Sequence, residues 1–558
     1  MKNLLLLLVC ILVATTSYSQ ESSEPDRGVF SGSVETNFNY FQRDSTIGAI
    51  NIPQYDRLLT GGELWLNLNY SIKGYDMGVR FDMFQNSNLL NPTGSYSAQG
   101  IGRWFIKRTV DKLTIEAGYL YDQIGSGIIY QAYEVRPQLI DNALFGGAVS
   151  YQVMENLKVK AFTGKQKQQF GTVEGSIRGA YAEGFYTVGN EDSPISLAPG
   201  VGVVNRTTGD EVINNMLNVI KFYLPEDQVL PEYNTFLTTF YNTLSYKNIT
   251  WYAEYAHKSA EAYFDVDAVK QEFNAPSTFG KYVKQSGNVY YSSIGYTIGG
   301  LGLTIEGKRT ENFDFRADPT LRLNLGLVNF IPPMNRFNTY RLTSRYSPAT
   351  QLLSEQAYQI DASYKFNKAW STNVNYSTIK KLDGIQLYEE RLAEVTYKHK
   401  RKWQFTGGLQ MLDYNQEIYE SKPGAPTVTT VTPYMDFLYK ISRKKSIRFE
   451  SQYMSTTEDF GSWFYALIEV GLAPHWLFEL SGMYNTSPNA TKNEIPTNPE
   501  TGEKRKILYP TVGAVYINKG NRFSLRYVKQ VEGVVCNGGV CRLEPAFSGV
   551  RFNMTSNF

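Results

Sequence analysis

Polar and apolar residues alternate along most of the chain, in runs of about ten residues or more that are separated by polar or glycine-containing breaks. Alternation with a period of two places successive side chains on opposite faces of a β-strand. The last run shows two such faces, Val550, Phe552, Met554 and Phe558 against Arg551, Asn553, Thr555 and Asn557. A long succession of such strands is typical of a barrel with lipid outside and polar residues inside.

The connections between the runs alternate between short and long. Short turns such as 73–76 and 246–248 alternate with longer segments such as 122–142, 166–232 and 311–354. Bacterial outer-membrane barrels show this parity, with short periplasmic turns and long extracellular loops. The sequence therefore predicts an all-β fold, a transmembrane antiparallel β-barrel of about 22 strands, within limits of about 20 to 24.

The N-terminus has the pattern of a secretory signal. Lys2 precedes an apolar run, and small residues follow that run before position 20. We expect a signal peptide over 1–19, a short periplasmic segment over 20–28 and an outer-membrane barrel over 29–558. The N-terminal segment is too short for a plug domain, which argues against an energy-coupled transporter.

One long connection, 166–232, is predicted as a large loop insertion with structure of its own. Glu211 to Tyr223 has the apolar stripe of a short amphipathic helix. The segment is either an external loop or a loop that folds inward and narrows the lumen. Residues 178–187 offer a further hairpin, which would raise the number of strands to about 24.

Two cysteines flank an Asn-Gly-Gly turn in the last hairpin. Asn and Gly accept the positive φ angles of a tight turn, so Cys536 and Cys541 are predicted to lie opposite each other. An oxidising compartment then favours a disulfide between them. No further Cys or His lies nearby in sequence, so a metal site is not predicted here.

Charges of both signs occupy the positions predicted to face the lumen. They form either a network of internal ion pairs or a selective constriction, and they are candidates for the lining of a pore. The positions are Glu63, Arg80, Asp82, Arg103, Glu116, Glu254, Glu306, Lys308, Asp361, Lys365, Asp436, Arg448, Glu450, Glu469, Arg526 and Arg551.

Composition and motifs exclude several classes of function. Lys and Arg together number 55 and Asp and Glu 53, so no global charge favours nucleic acid. The three histidines, at 257, 399 and 475, have no metal-ligand spacing and no nucleophile beside them in sequence. The sequence therefore predicts no enzyme, no cofactor and no metal.

Three stretches resemble a family of uncharacterised Bacteroidota outer-membrane barrel proteins. They are Trp104–Arg108, Gly118–Glu134 and the Cys-Asn-Gly-Gly-Val-Cys-Arg tip at 536–542. The resemblance implies an outer-membrane location and brings no catalytic or ligand residues with it. The glycines of the second stretch permit a tight loop, and a ligand site there is the alternative.

Two functions remain after these exclusions. The first is a porin-like passive channel for small polar solutes, favoured by a polar inner face and a wide circumference. The alternative is a non-transport scaffold or subunit of a secretion, assembly or surface complex. The expected partners are outer-membrane lipid and the barrel-assembly machinery, which would read the terminal aromatic Phe558 as an assembly signal.

Overall fold

The computed structural model describes residues 28–190, 193–271, 276–321, 325–349, 353–537 and 540–558. The expected signal peptide 1–19 and nearly all of segment 20–28 lie outside these ranges. Within them, the chain forms a closed barrel of 24 antiparallel strands, each paired with its neighbours in sequence. The barrel closes where strand Val29–Phe41 pairs with strand Phe547–Asn557.

The barrel strands follow one another in chain order. The first half comprises Val29–Phe41, Thr60–Ile72, Tyr75–Ser87, Tyr96–Val110, Leu113–Leu120, Leu144–Met154, Leu157–Gln168, Ser176–Gly184, Ile195–Thr207, Asn234–Tyr246, Ile249–Lys270 and Thr278–Ile298. The second half comprises Leu301–Glu311, Glu355–Lys365, Trp370–Lys381, Gln386–His399, Trp403–Asn415, Thr427–Lys440, Lys445–Met454, Gly461–Leu472, Trp476–Pro488, Leu508–Asn518, Asn521–Gln530 and Phe547–Asn557.

Shorter elements lie between the strands. The α-helices are Asp210–Ile220 and Gln416–Tyr419, and single turns of other helix types cover Ser45–Ile47, Gln54–Leu58, Arg136–Gln138 and Pro225–Asp227. Small strand pairs join Glu134–Val135 to Ile140–Asp141 and Gly533–Asn537 to Val540–Glu544, and short strands Gly171–Thr172 and Tyr186–Val188 pair with barrel strands.

The two ends of the barrel differ. We call the end that carries both chain termini the turn end, and the opposite end the loop end. Turns at the turn end are tight, as at Lys73-Gly74, where both residues have positive φ (47° and 80°). Exposed aromatic side chains such as Phe366 and Trp370 lie at the same end, and the Trp370 ring is 4.6 Å from that of the half-buried Tyr397. Such a belt is typical of a membrane interface.

Alternation along each strand separates an apolar outer face from the lumen. In strand Asn234–Tyr246, Phe236 and Phe240 are 50% and 60% exposed, whereas their neighbours Thr235, Leu237 and Thr239 are fully buried. A slip of one residue in the pairing would exchange the two faces, so the alternation specifies the register. The outer face is therefore suited to lipid.

The segment 166–232 is not the single loop insertion that the sequence suggested. Strands Ser176–Gly184 and Ile195–Thr207 belong to the barrel wall and pair with each other and with their neighbours. They account for the rise from about 22 predicted strands to 24. The second of them carries Pro199 and two glycines, residues that are depleted in strands and weaken the pattern by which a strand is recognised in a sequence.

The predicted helix of this segment exists as Asp210–Ile220 but does not join the residues that fill the lumen. Its buried face packs Met216 and Ile220 against Tyr223 and Ala262. Ala262 lies on Ile249–Lys270, one of the two longest strands, beyond its irregularity near Lys258. The helix thus packs on the loop-end extension of the wall. Within the described ranges, no helix is long and apolar enough to cross a membrane.

Candidate functional site in the barrel lumen

Loops fold back into the loop end of the lumen and fill much of it. Segment 121–143 places Ile124, Ile128 and Ile129 in a fully buried apolar cluster. The cluster includes residues of the inner wall, such as Leu237, and Phe315 of segment 312–354. We call these two segments, the second without residues 322–324 and 350–352, the inward loops. Their packing makes this part of the lumen resemble the interior of a soluble domain.

A second apolar cluster fills the other side of the loop end. It joins Met334, Leu342 and Tyr346 of the inward loop 312–354 to inner-wall residues such as Trp463. Segment 42–59 adds Tyr55, whose hydroxyl donates to the Ala546 carbonyl (3.0 Å). The lumen of this wide barrel is therefore closed over two broad areas by packed side chains.

Wall glycines make room for the inward loops. A Cβ atom at Gly202 would lie 2.5 Å from the Ile124 side chain, closer than packing allows. Glycine at this wall position lets the loop lie against the backbone of the strand.

The two inward loops are hydrogen-bonded to each other. Gln131 N donates to the Val328 carbonyl (2.8 Å), and Phe330 N donates to the Gly127 carbonyl (2.9 Å). Asn142 Nδ2 also donates to the Leu327 carbonyl (3.0 Å). Buried backbone groups of both loops are satisfied in this way, so the loops form one unit.

Polar groups of the wall hold this unit in place. Glu254, predicted as a lumen charge, accepts hydrogen bonds from the Ser126 hydroxyl (2.5 Å) and from Thr239 Oγ1 (2.8 Å). Gln452 Oε1 accepts from Leu342 N (2.7 Å), and Gln410 Nε2 donates to the Thr343 carbonyl (3.0 Å). Each of these wall side chains makes a hydrogen bond to a loop group that would otherwise need a water molecule as its partner.

Arg80 ties a wall strand to the inward loop 121–143. Its buried guanidinium contacts the carboxylates of Asp82 (2.6 Å), Glu134 (2.5 Å) and Asp141 (3.0 Å). Burial alone would raise the pKa of Asp141, but the charges of Lys167 and Arg80 hold it below its ordinary value. Removal of Arg80 would leave three carboxylates close together without their shared cation.

Lys308 and Glu355 form the most deeply buried ion pair among the described residues (2.7 Å, both side chains 0% exposed). Lys308 Nζ also donates to the Pro332 carbonyl of the inward loop 312–354 (2.9 Å). A lone charge at such a position would be costly, so the pair fixes the base of this loop.

The other predicted lumen charges have varied surroundings. Three carboxylates accept hydrogen bonds: Glu63 from Asn37 (2.9 Å) and Ser87, Glu306 from the Tyr291 hydroxyl (2.6 Å), and Asp361 from Asn373 (3.0 Å). Two arginines form ion pairs, Arg448 with Asp436 (2.9 Å) and Glu450 (2.5 Å), and Arg526 with Glu479 (3.1 Å). Two further guanidinium groups lie over aromatic rings, Arg103 over Tyr121 (4.6 Å) and Arg551 over Phe547 (4.0 Å). Glu116 and Lys365 line separate cavities near the turn end, and Glu469 lies opposite Arg448 in the strand ladder.

Water-accessible space persists where the barrel closes on itself. A cavity of about 570 Å³, here called the seam cavity, is lined by the first two and the last two strands of the barrel and by residues of the connections. It extends from Phe547, near the loop end, to Arg522 and Thr555, near the turn end. A second cavity, of about 320 Å³, lies toward the loop end and shares Arg341 and Gln530 with it. The two cavities therefore meet at Arg341.

Arginines dominate the seam cavity. Its charged lining consists of Arg136, Arg341, Arg522, Arg526, Arg542, Arg551, Glu35, Glu63 and Glu544. Burial lowers the pKa of the Arg341 guanidinium, and the nearby charges of Arg345 and Arg551 lower it further.

In the loop-end cavity, charges of opposite sign are paired. Asp459 contacts Arg345 (3.5 Å) and Lys492 (2.9 Å). Burial alone would raise the pKa of Asp459, but these two cations hold it well below its ordinary value.

The sequence identified some residues of this site and missed others. Glu63, Arg526 and Arg551 line the seam cavity and were predicted to face the lumen, because they occupy inward positions of strands. Arg341 and Arg542 were missed, since they lie in connections, where no period assigns a face. Nothing in the sequence places Arg341 beside Arg551.

These features define a class of protein, a closed 24-stranded barrel whose own loops fill much of its lumen. The family of unknown function DUF6029 matches residues 1–558, and the chain belongs to that family. This agrees with the resemblance seen in the sequence in that the family has no known function. A search of curated proteins found no match.

Solved barrels show distant similarity. The siderophore receptor PirA from Pseudomonas aeruginosa is 10% identical, with 96% of this chain and 81% of that chain covered and a TM-score of 0.38. The P pilus usher PapC translocation pore is 8% identical (95% and 99% covered, TM-score 0.37), and Acinetobacter baumannii OccAB4 is 10% identical (72% and 96% covered, TM-score 0.33). All three TM-scores are below 0.5.

Proposed function

We propose that this protein is an outer-membrane β-barrel that lets small polar solutes pass by passive diffusion along the seam cavity. The outer-membrane location is supported by the apolar outer face, the aromatic side chains at the turn end and the contrast between tight turns and long loops. The solutes pass along one side of the lumen and not through its centre.

One observation carries the proposal: the seam cavity extends along the closing strands and stays open, although residues of the second packed cluster, such as Tyr55 and Phe547, line its loop-end part. A barrel of 24 strands spaced ~4.8 Å and tilted ~40° has a backbone radius of roughly 24 Å. Narrowing of the lumen by the 166–232 connection was one of two alternatives that the sequence left open, and here the inward loops narrow the lumen instead. Solute size is therefore limited by the cavity and not by the barrel.

The packed clusters also favour a second candidate. A lumen closed by side chains suits a scaffold that presents its loops to partner proteins. The two functions differ in one measurable property, the conductance of the intact protein.

The test is single-channel recording of purified, folded protein in a planar bilayer. We expect small, discrete conductance steps, far below those of an open barrel of this circumference. Thr555 lines the seam cavity near the turn end and is exposed to it, so Thr555→Trp should reduce the conductance severalfold by obstructing the passage.

A matched control is the same substitution elsewhere on the inner wall. Thr372 lines a separate small cavity near the turn end, away from the seam, so Thr372→Trp should leave the conductance unchanged. Equal effects of both variants would contradict a passage along the seam. Absence of conductance in the unmodified protein would contradict the channel and favour the scaffold.

A further inference from the structure

The seam cavity has more positive than negative charge, and the excess is concentrated on three arginines. Half of its six arginines have carboxylate partners. These pairs are Arg136 with Glu35 (2.5 Å), Arg526 with Glu479 (3.1 Å) and Arg542 with Glu544 (3.0 Å). Arg341, Arg522 and Arg551 form no ion pair with any carboxylate in the described part of the chain.

The remaining carboxylate of the cavity does not neutralise them. Glu63 is 3% exposed and accepts hydrogen bonds from Asn37 Nδ2 (2.9 Å) and from the Ser87 hydroxyl. Its oxygens are therefore occupied by neutral donors, although its charge acts on Arg551 at longer range.

Arg551 is held in a position that suits ligand binding. Its guanidinium carbon lies 4.0 Å from the centre of the Phe547 ring, which supports one face of the group and leaves its N–H edges available. Arg526 lies directly opposite Arg551 in the strand ladder. Like charges at opposed positions repel each other, and an anion between them would remove that repulsion.

We propose that the seam cavity binds small oxyanions, phosphate or short carboxylates, through Arg341, Arg522 and Arg551. This inference names the solute class of the proposed passage and in that respect rests on the proposed function. A guanidinium presents paired N–H groups that match two oxygens of a phosphate or carboxylate. The cavity volume of about 570 Å³ lies within the usual range of ligand sites, about 300–1,000 Å³.

The position of the arginines also favours the passage of anions over that of cations. Arg341 stands where the loop-end cavity meets the seam cavity, and Arg522 lies at the turn-end limit of the seam cavity. Low-dielectric walls concentrate their field in the water between them, which raises the local concentration of anions. Passage and binding therefore use the same residues.

Two measurements test the inference. Reversal potentials in a salt gradient give the ratio of anion to cation permeability, and titration calorimetry with inorganic phosphate and with succinate gives binding. We expect an anion-selective channel and measurable binding of both probes. The triple variant Arg341→Gln, Arg522→Gln, Arg551→Gln should lower the permeability ratio at least about threefold and the affinity about tenfold, because three uncompensated charges are lost.

The control is Arg448→Gln, which removes a lumen arginine paired with Asp436 and Glu450 and lying outside the seam cavity. It should change neither measurement. If the triple variant does not fold, as judged by the heat-dependent gel shift of barrels, Arg522→Gln alone is used, since Arg522 is exposed at the limit of the cavity.

The outcomes separate this inference from the proposed function. Binding without conductance would retain the oxyanion site and overturn the passage. Conductance without anion preference and without binding would retain the passage and overturn the site. An equal effect of Arg448→Gln and the triple variant would also overturn the site.

Discussion

At the scale of single residues, Phe558 takes part in the closure of the barrel through its backbone and its ring. Phe558 N donates to the Gly32 carbonyl (3.0 Å), and Gly32 N donates to the Phe558 carbonyl (2.8 Å). The ring of Phe558 covers Gly32 so closely that a Cβ there would lie 2.5 Å from its atoms. The terminal aromatic thus packs on the first strand, where the barrel closes.

We predict that Phe558 acts as the assembly signal read by the barrel-assembly machinery. Phe558→Ala should lower the amount of folded barrel in the membrane severalfold, because both the signal and the cover over Gly32 are lost. Heat-dependent gel mobility measures the folded fraction. Phe366→Ala, which removes another exposed aromatic near the turn end, is the control and should have little effect. Equal folded fractions in the wild type and Phe558→Ala would refute the assignment.

At the scale of elements, the hairpin before the last strand brings residues Cys536 and Cys541 to opposed positions. Strands Gly533–Asn537 and Val540–Glu544 pair with Cys536 opposite Cys541. Residues 538–539 of the predicted turn and the side chain of Cys536 lie outside the described part of the structure, so the disulfide stays a prediction.

We expect one intrachain disulfide in protein purified from an oxidising compartment, visible by mass spectrometry without reduction. The bridge would close a very short loop, so its stabilisation should be below the ~3 kcal/mol that loop-closure entropy gives for a loop of about fifteen residues. Cys536→Ser with Cys541→Ser should therefore lower the unfolding temperature only slightly. Detection of two free thiols would contradict the disulfide.

At the scale of the whole molecule, the barrel wall and the inward loops are held in place by different interactions. The wall is held by the hydrogen bonds of neighbouring strands, whereas the inward loops are held by apolar packing and by a few wall side chains. A change that releases the loops should therefore open the lumen without dissolving the barrel.

We predict that Ile128→Asp with Ile129→Asp releases the inward loop 121–143. Both side chains are fully buried, and an unpaired buried carboxylate costs several kcal/mol, so the loop should leave the lumen. Single-channel conductance should rise severalfold, with the heat-dependent gel shift unchanged. Phe222→Asp, at a side chain that is 81% exposed, is the control. A variant that folds with unchanged conductance would show that this loop does not close the lumen.

Local pattern explains what could be predicted from the sequence. In strand Asn234–Tyr246 the neighbours of each residue alternate between lipid and lumen, so Phe236 and Thr235 reveal their faces by their chemistry. The same reasoning predicted that Glu63 and Arg551 face the lumen. It failed at strand Ile195–Thr207, where the glycines allow close packing and, together with Pro199, weaken the alternation.

The sequence by itself determined that the chain is a barrel, the faces of most of its strands and the alternation of turns and loops, because these follow from a period of two along the chain. Only the tertiary structure decided where the loops go. Gln131 donates a hydrogen bond to Val328, and Arg341 and Arg551 line the same cavity, although these residues are distant in the chain. No local period encodes such contacts, since they depend on the shape of the space that the closed wall leaves to be filled.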